Sequence, residues 1–365
     1  MNQLKPARHL AAIPAYAPGR SKEEIARAYG VAKPIKLASN ENPLGPSPKA
    51  IAAMQAALSE MHLYPDATAA ELRDAAASHF GCAPENIIAG NGSDEILDLI
   101  CRAYLNPGDR VLIPACTFSY YRIAALACAA ECLTAAMNGF SLDAEQLIEG
   151  LQARPKLVFI ANPNNPTGTA LGASELSRIL DAADPQTLVV VDEAYAAFAR
   201  QTDFKTAVAL IERPNLIVVK TLSKSHGLAG LRIGFGIAHP AIINELNRLK
   251  PPFNVNRLGL IAGAAALTDD EFLQQTLELN WSELDRLYAA LDELGLAYVA
   301  SQTNFVLVRL GQQAAMVYEE LLRRGVITRY GAGPGLDEYL RVSIGRPEEN
   351  RQFVASLKAI LQATD

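Results

Sequence analysis

The sequence predicts an α/β fold: a large domain with a mostly parallel sheet sandwiched by helices, plus a smaller α+β domain. Three observations predict it. Between Asn86 and about Ile237, short apolar runs alternate with amphipathic stretches of helical period. Most of those runs are Val, Ile and Leu without polar alternation, as expected for strands covered on both faces. After Pro251-Pro252 the rhythm changes to a long helical stretch, then strand, helix and strand.

In chain order, the first 40 residues read as an irregular arm with one helix at about 21–30, because Pro14, Pro18 and Gly19 break the part before it. The turn-rich segment from Asn40 to Pro48 enters a helix near Ser47, so helices are expected at about 48–60 and 69–80. Candidate strands are 87–89, 110–114, 157–161, 188–192, 216–221 and 233–237. Helices at 94–105 and 173–183 complete βαβ units, and 123–137 reads as a buried helix running into a strand. A helical stretch over 258–294 follows, then strands at 305–308 and 340–344 flanking a helix at 312–324. The expected division is 1–45 as arm and small-domain segment, 46–250 as large domain and 251–365 as small domain.

Length and composition bound the function. A chain of 365 residues, half of them hydrophobic and a fifth charged, has the make-up of a globular enzyme. A formal charge of −6 without any Lys/Arg block argues against a nucleic-acid footprint. No uninterrupted apolar run reaches the roughly 18 residues of a membrane span. The first twenty residues are basic but lack the apolar core of a secretory signal. Five cysteines, at 82, 101, 116, 128 and 132, form no Cys-x-x-Cys pair and fit reduced thiols in a cytoplasm. Cys128 and Cys132 can share a helical face, yet no His stands nearby, so no metal site is expected.

Three segments that carry chemistry each follow a candidate strand, where open α/β sheets bind ligands. Asn162-Pro163-Asn164-Asn165-Pro166-Thr167-Gly168 is either a rigid turn or a hydrogen-bonding loop. Asp192-Glu193-Ala194-Tyr195 ends a Val-rich strand with an acid that is costly to bury unpaired. Set against a pyridine nitrogen, such a carboxylate keeps that nitrogen protonated; the plainer reading is a helix N-cap. The third segment runs from Thr221 to Arg232. A lysine leaving a buried strand, Lys224, is a candidate Schiff-base amine, although a surface Lys in a Gly-rich loop reads the same way. Thr221, Ser223 and Arg232 offer hydroxyls and a planar fork to a phosphate. A fourth segment, Gly90-Asn91-Gly92-Ser93-Asp94-Glu95, joins a strand to a helix whose N-terminal amides suit an anion. It lacks the third glycine of a dinucleotide fingerprint. Together the four imply a cofactor with a phosphate, a ring nitrogen and an aldehyde.

The ordered set Asn165, Asp192, Tyr195, Lys224 and Arg232 resembles the fold-type I pyridoxal-phosphate-dependent aminotransferases. The strings SNENPLGPSP (39–48), YPD (64–66), GNGSDE (90–95), NPNNPTG (162–168), VDEAY (191–195), TLSK…GLAGLR (221–232) and LRVSIG (340–345) carry the likeness from Tyr16 to Arg351. The resemblance implies that Lys224 binds pyridoxal 5′-phosphate as a Schiff base and then moves the substrate proton. It assigns Asp192 to the pyridine nitrogen, and Asn165 and Tyr195 to the ring hydroxyl. Ser93, Asp94, Thr221, Ser223 and Arg232 surround the phosphate, and Phe118 stacks on the ring. Tyr64 reaches the phosphate of a neighbouring subunit, which implies a homodimer with active sites at its interface. For substrate it implies Arg341, with Arg329 and Arg351 beside it, and Tyr16 closing from the arm.

The finer strings resemble the branch acting on L-histidinol phosphate and 2-oxoglutarate, giving glutamate, in histidine biosynthesis. An aromatic amino acid aminotransferase uses the same core, and a threonine-phosphate decarboxylase is a rival from another reaction class. A transcription regulator with an aminotransferase-like domain would need a helix-turn-helix before residue 40, for which the short arm leaves no room.

Overall fold

The computed structural model describes residues 4–13 and 19–363. Seven strands form its main sheet: β1 (Ile87–Asn91), β2 (Arg110–Pro114), β3 (Glu131–Ala135), β4 (Leu157–Ala161), β5 (Leu188–Asp192), β6 (Leu216–Thr221) and β7 (Ile233–Ala238). Their order across the sheet is β1-β7-β6-β5-β4-β2-β3. Only β7 runs antiparallel to its neighbours, with Phe235 opposite Ala89 on one side and Lys220 on the other. The remaining pairings are parallel, with Val190 opposite Phe159 and Ile217. Hence the carboxyl ends of six strands, and the start of β7, lie along one edge.

Strand alternation sorts the apolar side chains into two cores. Val189, Val191, Val158, Ile160 and Val218 face one side of the sheet, against Leu72, Leu176 and Leu260. Val190, Phe159, Ile217 and Val219 face the other, against Ile96, Leu97, Leu99, Tyr121 and Leu246. Each such side chain stabilises the fold by roughly 1.5–3 kcal/mol on burial. Both faces are covered, which is why these runs show no polar alternation.

The C-terminal part has its own core of Leu37, Leu284, Leu287, Leu291, Val306, Leu340, Val342 and Phe353. Its antiparallel sheet runs Tyr298–Val299, Phe305–Arg309, Tyr339–Ser343, Arg329–Tyr330. Ile35–Lys36 pairs with Val326–Ile327, so the chain's first third contributes to this region.

Local signals explain the helices the sequence predicts. Helix Lys22–Tyr29 starts where Ser21 accepts from the Glu24 amide and stops at Gly30, whose φ is 69°. Pro48–Ala57, Ala70–Phe80, Ser93–Tyr104 and Ala173–Ala182 stand where expected, and 123–137 resolves into helix Tyr120–Ala127 followed by β3. One expectation is corrected. The stretch 258–294 is two helices, Arg257–Ala266 and Asp270–Glu293, because Asp269 leaves the helical path and accepts a hydrogen bond from Ser47 Oγ at 2.5 Å. Residues just past the expected division at 251 pack with the main sheet. Val255, Leu260, Ala262, Ala264, Ala266 and Leu267 belong to the core of the main sheet. Gly263 permits this, since a Cβ there would stand 2.8 Å from Leu72 Cδ1. The change of core therefore falls near Leu267. Among the described residues, no helix is long and apolar enough to cross a membrane.

Candidate active site

The carboxyl edge of the main sheet opens into a cavity of about 250 Å³, walled on its far side by Arg329, Ala332 and Arg341. At one end, β1 turns through Gly92, at φ 82°, into helix Ser93–Tyr104. The amide-rich start of that helix faces the cavity, with Ser93, Asp94, Thr221, Ser223 and Arg232 around it. Close packing holds the turn in place. A Cβ on Gly234 would lie 2.3 Å from the Ser93 nitrogen, and one on Gly92 would lie 2.5 Å from Arg232 Nη2. Arg232 itself has φ 58° and donates to Asp94 Oδ2 at 3.0 Å. The acids of the turn are thus engaged: Asp94 by this guanidinium, Glu95 by the Asn91 amide and Asn254 Nδ2, each at 2.6 Å. Thr221 Oγ1 stands 3.0 Å from Ser223 Oγ and accepts from the Ser223 amide at 3.1 Å.

At the middle of the edge, Asp192 is 6% exposed and accepts from Tyr121 Oη at 2.7 Å and the Ala194 amide at 3.0 Å. Burial pushes its carboxyl up to about 6, against the lowering effect of those two hydrogen bonds. Tyr121 is fully buried and stacks on Phe159 with centroids 4.8 Å apart. Phe118 lines the cavity and meets Tyr121 edge-on at 5.5 Å. The next acid, Glu193, points away: it binds Lys220 Nζ at 2.6 Å, Thr206 Oγ1 and the Ala207 amide. Strand alternation therefore separates a site carboxylate from a structural one.

Lys224 leaves β6 beside these groups, its Nζ donating to the Ser39 carbonyl at 3.3 Å and lying 5.8 Å from the centroid of Tyr195. Its loop is clamped by the 39–46 segment. Asn42 Nδ2 donates to the Ser225 carbonyl at 3.0 Å, and Gly227, at φ 69°, passes so near Gly45 that a Cβ would fall 1.9 Å from its carbonyl oxygen. Tyr195 Oη accepts from Asn40 Nδ2 at 2.9 Å. Across the cavity, Arg341 donates to Asn165 Oδ1 and to the Ala38 carbonyl, both at 2.7 Å, with its guanidinium 5.2 Å over Phe305.

The cavity thus gathers Ser93, Asp94, Phe118, Asn165, Asp192, Tyr195, Thr221, Ser223, Lys224, Arg232, Arg329 and Arg341. Three expected residues stand apart. Tyr64 is 79% exposed, stacks on Phe253 at 4.7 Å and does not line this chain's cavity. Arg351 is exposed on helix Pro347–Gln362 and is not part of the lining, so within one chain it is a solvated helix charge. Tyr16 lies outside the described residues. Two residues were given no role from the sequence: Tyr121, on Asp192, and Asn40, on Tyr195. A buried Asn in a turn-rich string was the available signal for the second.

These donors fit pyridoxal 5′-phosphate at every point. A helix N-terminus with hydroxyls and an arginine suits a dianion. A buried carboxylate whose pKa is raised by burial gains from a protonated ring nitrogen, and Lys224 lines the same cavity.

Residues 32–357 match the family described as aminotransferase class I and II. A histidinol-phosphate aminotransferase of Symbiobacterium thermophilum is 42% identical over 95% of this chain and 96% of its own length. One from an Anaeromyxobacter species is 43% identical over 97% and 98%. Among solved structures, the histidinol-phosphate aminotransferase of Sinorhizobium meliloti in complex with pyridoxal-5′-phosphate superposes with a TM-score of 0.92 at 27% identity, covering 100% of this chain and 99% of that one.

Proposed function

The chain belongs to the class I and II aminotransferases, and on that premise we propose that it moves an amino group between L-histidinol phosphate and 2-oxoglutarate or glutamate, with pyridoxal 5′-phosphate as cofactor. This is the transamination step of histidine biosynthesis. What supports the reading is one cavity lined by Lys224 together with two groups of residues suited to anions. Ser93, Thr221, Ser223 and Arg232 form one; Arg329 and Arg341 flank the other. The first suits the cofactor phosphate. The second suits the negative end of either substrate, phosphate or carboxylate, so donor and acceptor use it in turn.

When bound, the cofactor supplies an electron sink for the bonds of the substrate Cα. Asp192 holds the proton on the ring nitrogen, and Tyr121 and the Ala194 amide fix that carboxylate in place. Asn165 and Tyr195, which line the same cavity, would hydrogen-bond the ring hydroxyl, and Phe118 would stack on the ring. Arg341, oriented by the Asn165 and Ala38 oxygens, binds the substrate anion and aims Cα at Lys224. Once released from the cofactor, the Lys224 amine would be the base placed to move the substrate Cα proton.

The working unit in this reading is a cytoplasmic homodimer. Leu58, Met61, Leu63 and Tyr64 are exposed in one stretch, and Phe253 stacks on Tyr64. Such a patch suits a second copy, into whose phosphate site Tyr64 reaches. Five unpaired thiols suit a reducing compartment.

Two measurements test the reading. Comparing kcat/KM for histidinol phosphate, phenylalanine, tyrosine and threonine phosphate on one preparation should favour histidinol phosphate. An aromatic preference, or carbon dioxide release from threonine phosphate, would replace the proposed substrate. Lys224→Ala should lose the visible absorption of the lysine-linked cofactor; a variant that kept it would remove Lys224 from that role.

A further inference from the structure

We infer that Asn40 is a positioning residue: its carboxamide fixes Tyr195 as a hydrogen-bond donor into the cavity and hangs that phenol from the strand that carries Arg341. The inference rests on the cofactor reading above and adds a residue to it.

Asn40 is 1% exposed and has φ 55°, a region that Asn tolerates better than most side chains. Its polar groups are engaged. The backbone amide donates to Ser343 Oγ at 2.9 Å, and the backbone carbonyl accepts from Asn304 Nδ2 at 3.0 Å. Ser343 Oγ in turn donates to Asn40 Oδ1 at 2.8 Å, leaving Nδ2 to donate to Tyr195 Oη at 2.9 Å. Ser343 Oγ accepts the backbone N–H, so its single hydrogen goes to Oδ1. That arrangement turns the NH2 of the carboxamide toward the phenol.

A carboxamide nitrogen donates and does not accept. Tyr195 Oη is therefore the acceptor in this pair and keeps its own hydrogen. The ring is 6% exposed and meets Phe305 edge-on at 5.3 Å, and its accessible side is the cavity beside Lys224. The phenol hydrogen is thus directed at the cofactor's ring oxygen. Ser343 and Arg341 sit two apart on strand Tyr339–Ser343 and project from the same face. The guanidinium that receives the substrate and the phenol that touches the cofactor are consequently held by one strand, joined through Asn40.

A hydrogen donated to the ring oxygen stabilises its negative charge. It thereby lowers the proton affinity of the Lys224 nitrogen linked to the cofactor. Other titratable and charged groups line the same cavity. Asp192 comes from the main sheet, Tyr121 from helix Tyr120–Ala127, Asp94 and Arg232 from the phosphate end, and Arg329 and Arg341 from the C-terminal sheet. All six remain in Asn40→Ala, so a shift in that variant reports the phenol.

The test is a pH titration of the visible absorption of the purified holoenzyme, read without turnover. Asn40→Ala should raise the proton affinity of the Lys224 link by roughly three- to tenfold, the size of one hydrogen bond. In a Tyr195→Phe background the same substitution should add nothing. Ser343→Ala, a milder cut that leaves the carboxamide unanchored, should shift the titration in the same direction by less, and it carries the test if Asn40→Ala does not fold. An unshifted titration in Asn40→Ala and Ser343→Ala, or an equal shift when Tyr195 is already Phe, would overturn the inference while leaving the cofactor reading intact. A wild-type protein without a visible lysine-linked band would overturn both.

Discussion

Replacing Asp192 by Asn should stabilise the cofactor-free protein and disable the enzyme. The carboxyl is buried at the cavity wall, and burial raises it from an ordinary 3.8 to about 6. A raised acid binds its proton in the folded state where the unfolded chain has already released it, so stability falls as pH rises between those two values. Above pH 6 the whole cost is present, about 3 kcal/mol as an order of magnitude. Below 3.8 it vanishes, since both states are protonated. Asn keeps the shape and the contacts: its oxygen accepts from the Ala194 amide, and its nitrogen donates to Tyr121 Oη, which reverses role. Urea unfolding of the cofactor-free proteins should therefore give Asp192→Asn a midpoint higher by roughly 1 M at pH 8. The gap should close toward pH 4. In the holoenzyme the advantage disappears, because wild-type Asp192 then has a cationic partner, and turnover by the variant should collapse. Equal midpoints at pH 8, or a gap that widens as pH falls, would refute the reasoning.

Arg341→Ala removes the guanidinium that spans Asn165 and Ala38, and should lower kcat/KM for glutamate by about 2–5 kcal/mol, some thirtyfold or more; unchanged kinetics would take Arg341 out of the substrate site. Gly234→Ala puts a methyl 2.3 Å from the Ser93 nitrogen and 2.4 Å from the Gly92 carbonyl carbon, so the phosphate-binding turn must move. Cofactor affinity, measured by titrating stripped protein with pyridoxal phosphate, should drop roughly tenfold or more, the scale of an overpacked contact; an unaltered affinity would mean that the turn does not need its present position.

The parts of the molecule legible in the sequence are those that depend on neighbours in the chain. Strands β4 and β5 are recognisable because both faces of each are buried, and an unbroken Val/Ile run has few other uses. Asp192, Lys224 and the Gly92-Ser93 turn stand out because each ends or follows such a run. What stays hidden depends on partners far along the chain. Tyr121 reaches Asp192 across 71 residues, and Asn40 reaches Tyr195 across 155. No period or spacing encodes either pairing. The antiparallel course of β7 is hidden for the same reason, since β7 reads like its parallel neighbours. Arg351 reads two ways because a helix charge and a substrate ligand look alike in a string, and within one chain it is exposed outside the cavity. The break at Asp269 is missed because two Ala- and Leu-rich helices share one rhythm until Ser47 arrives to hold the turn.

The cavity wall formed by residues 38–40 has a consequence for how the protein is made. Its partners Ser343 and Arg341 lie 303 residues downstream, and Asn304 lies 264 downstream. The seven-stranded sheet needs nothing beyond Ala238 for its ladder, and one of its faces is covered once residues 255–267 are in place. The wall closes only when strand Tyr339–Ser343 emerges. A finished pocket therefore requires the chain through residue 343, because Arg341 and Ser343 hold the wall in place.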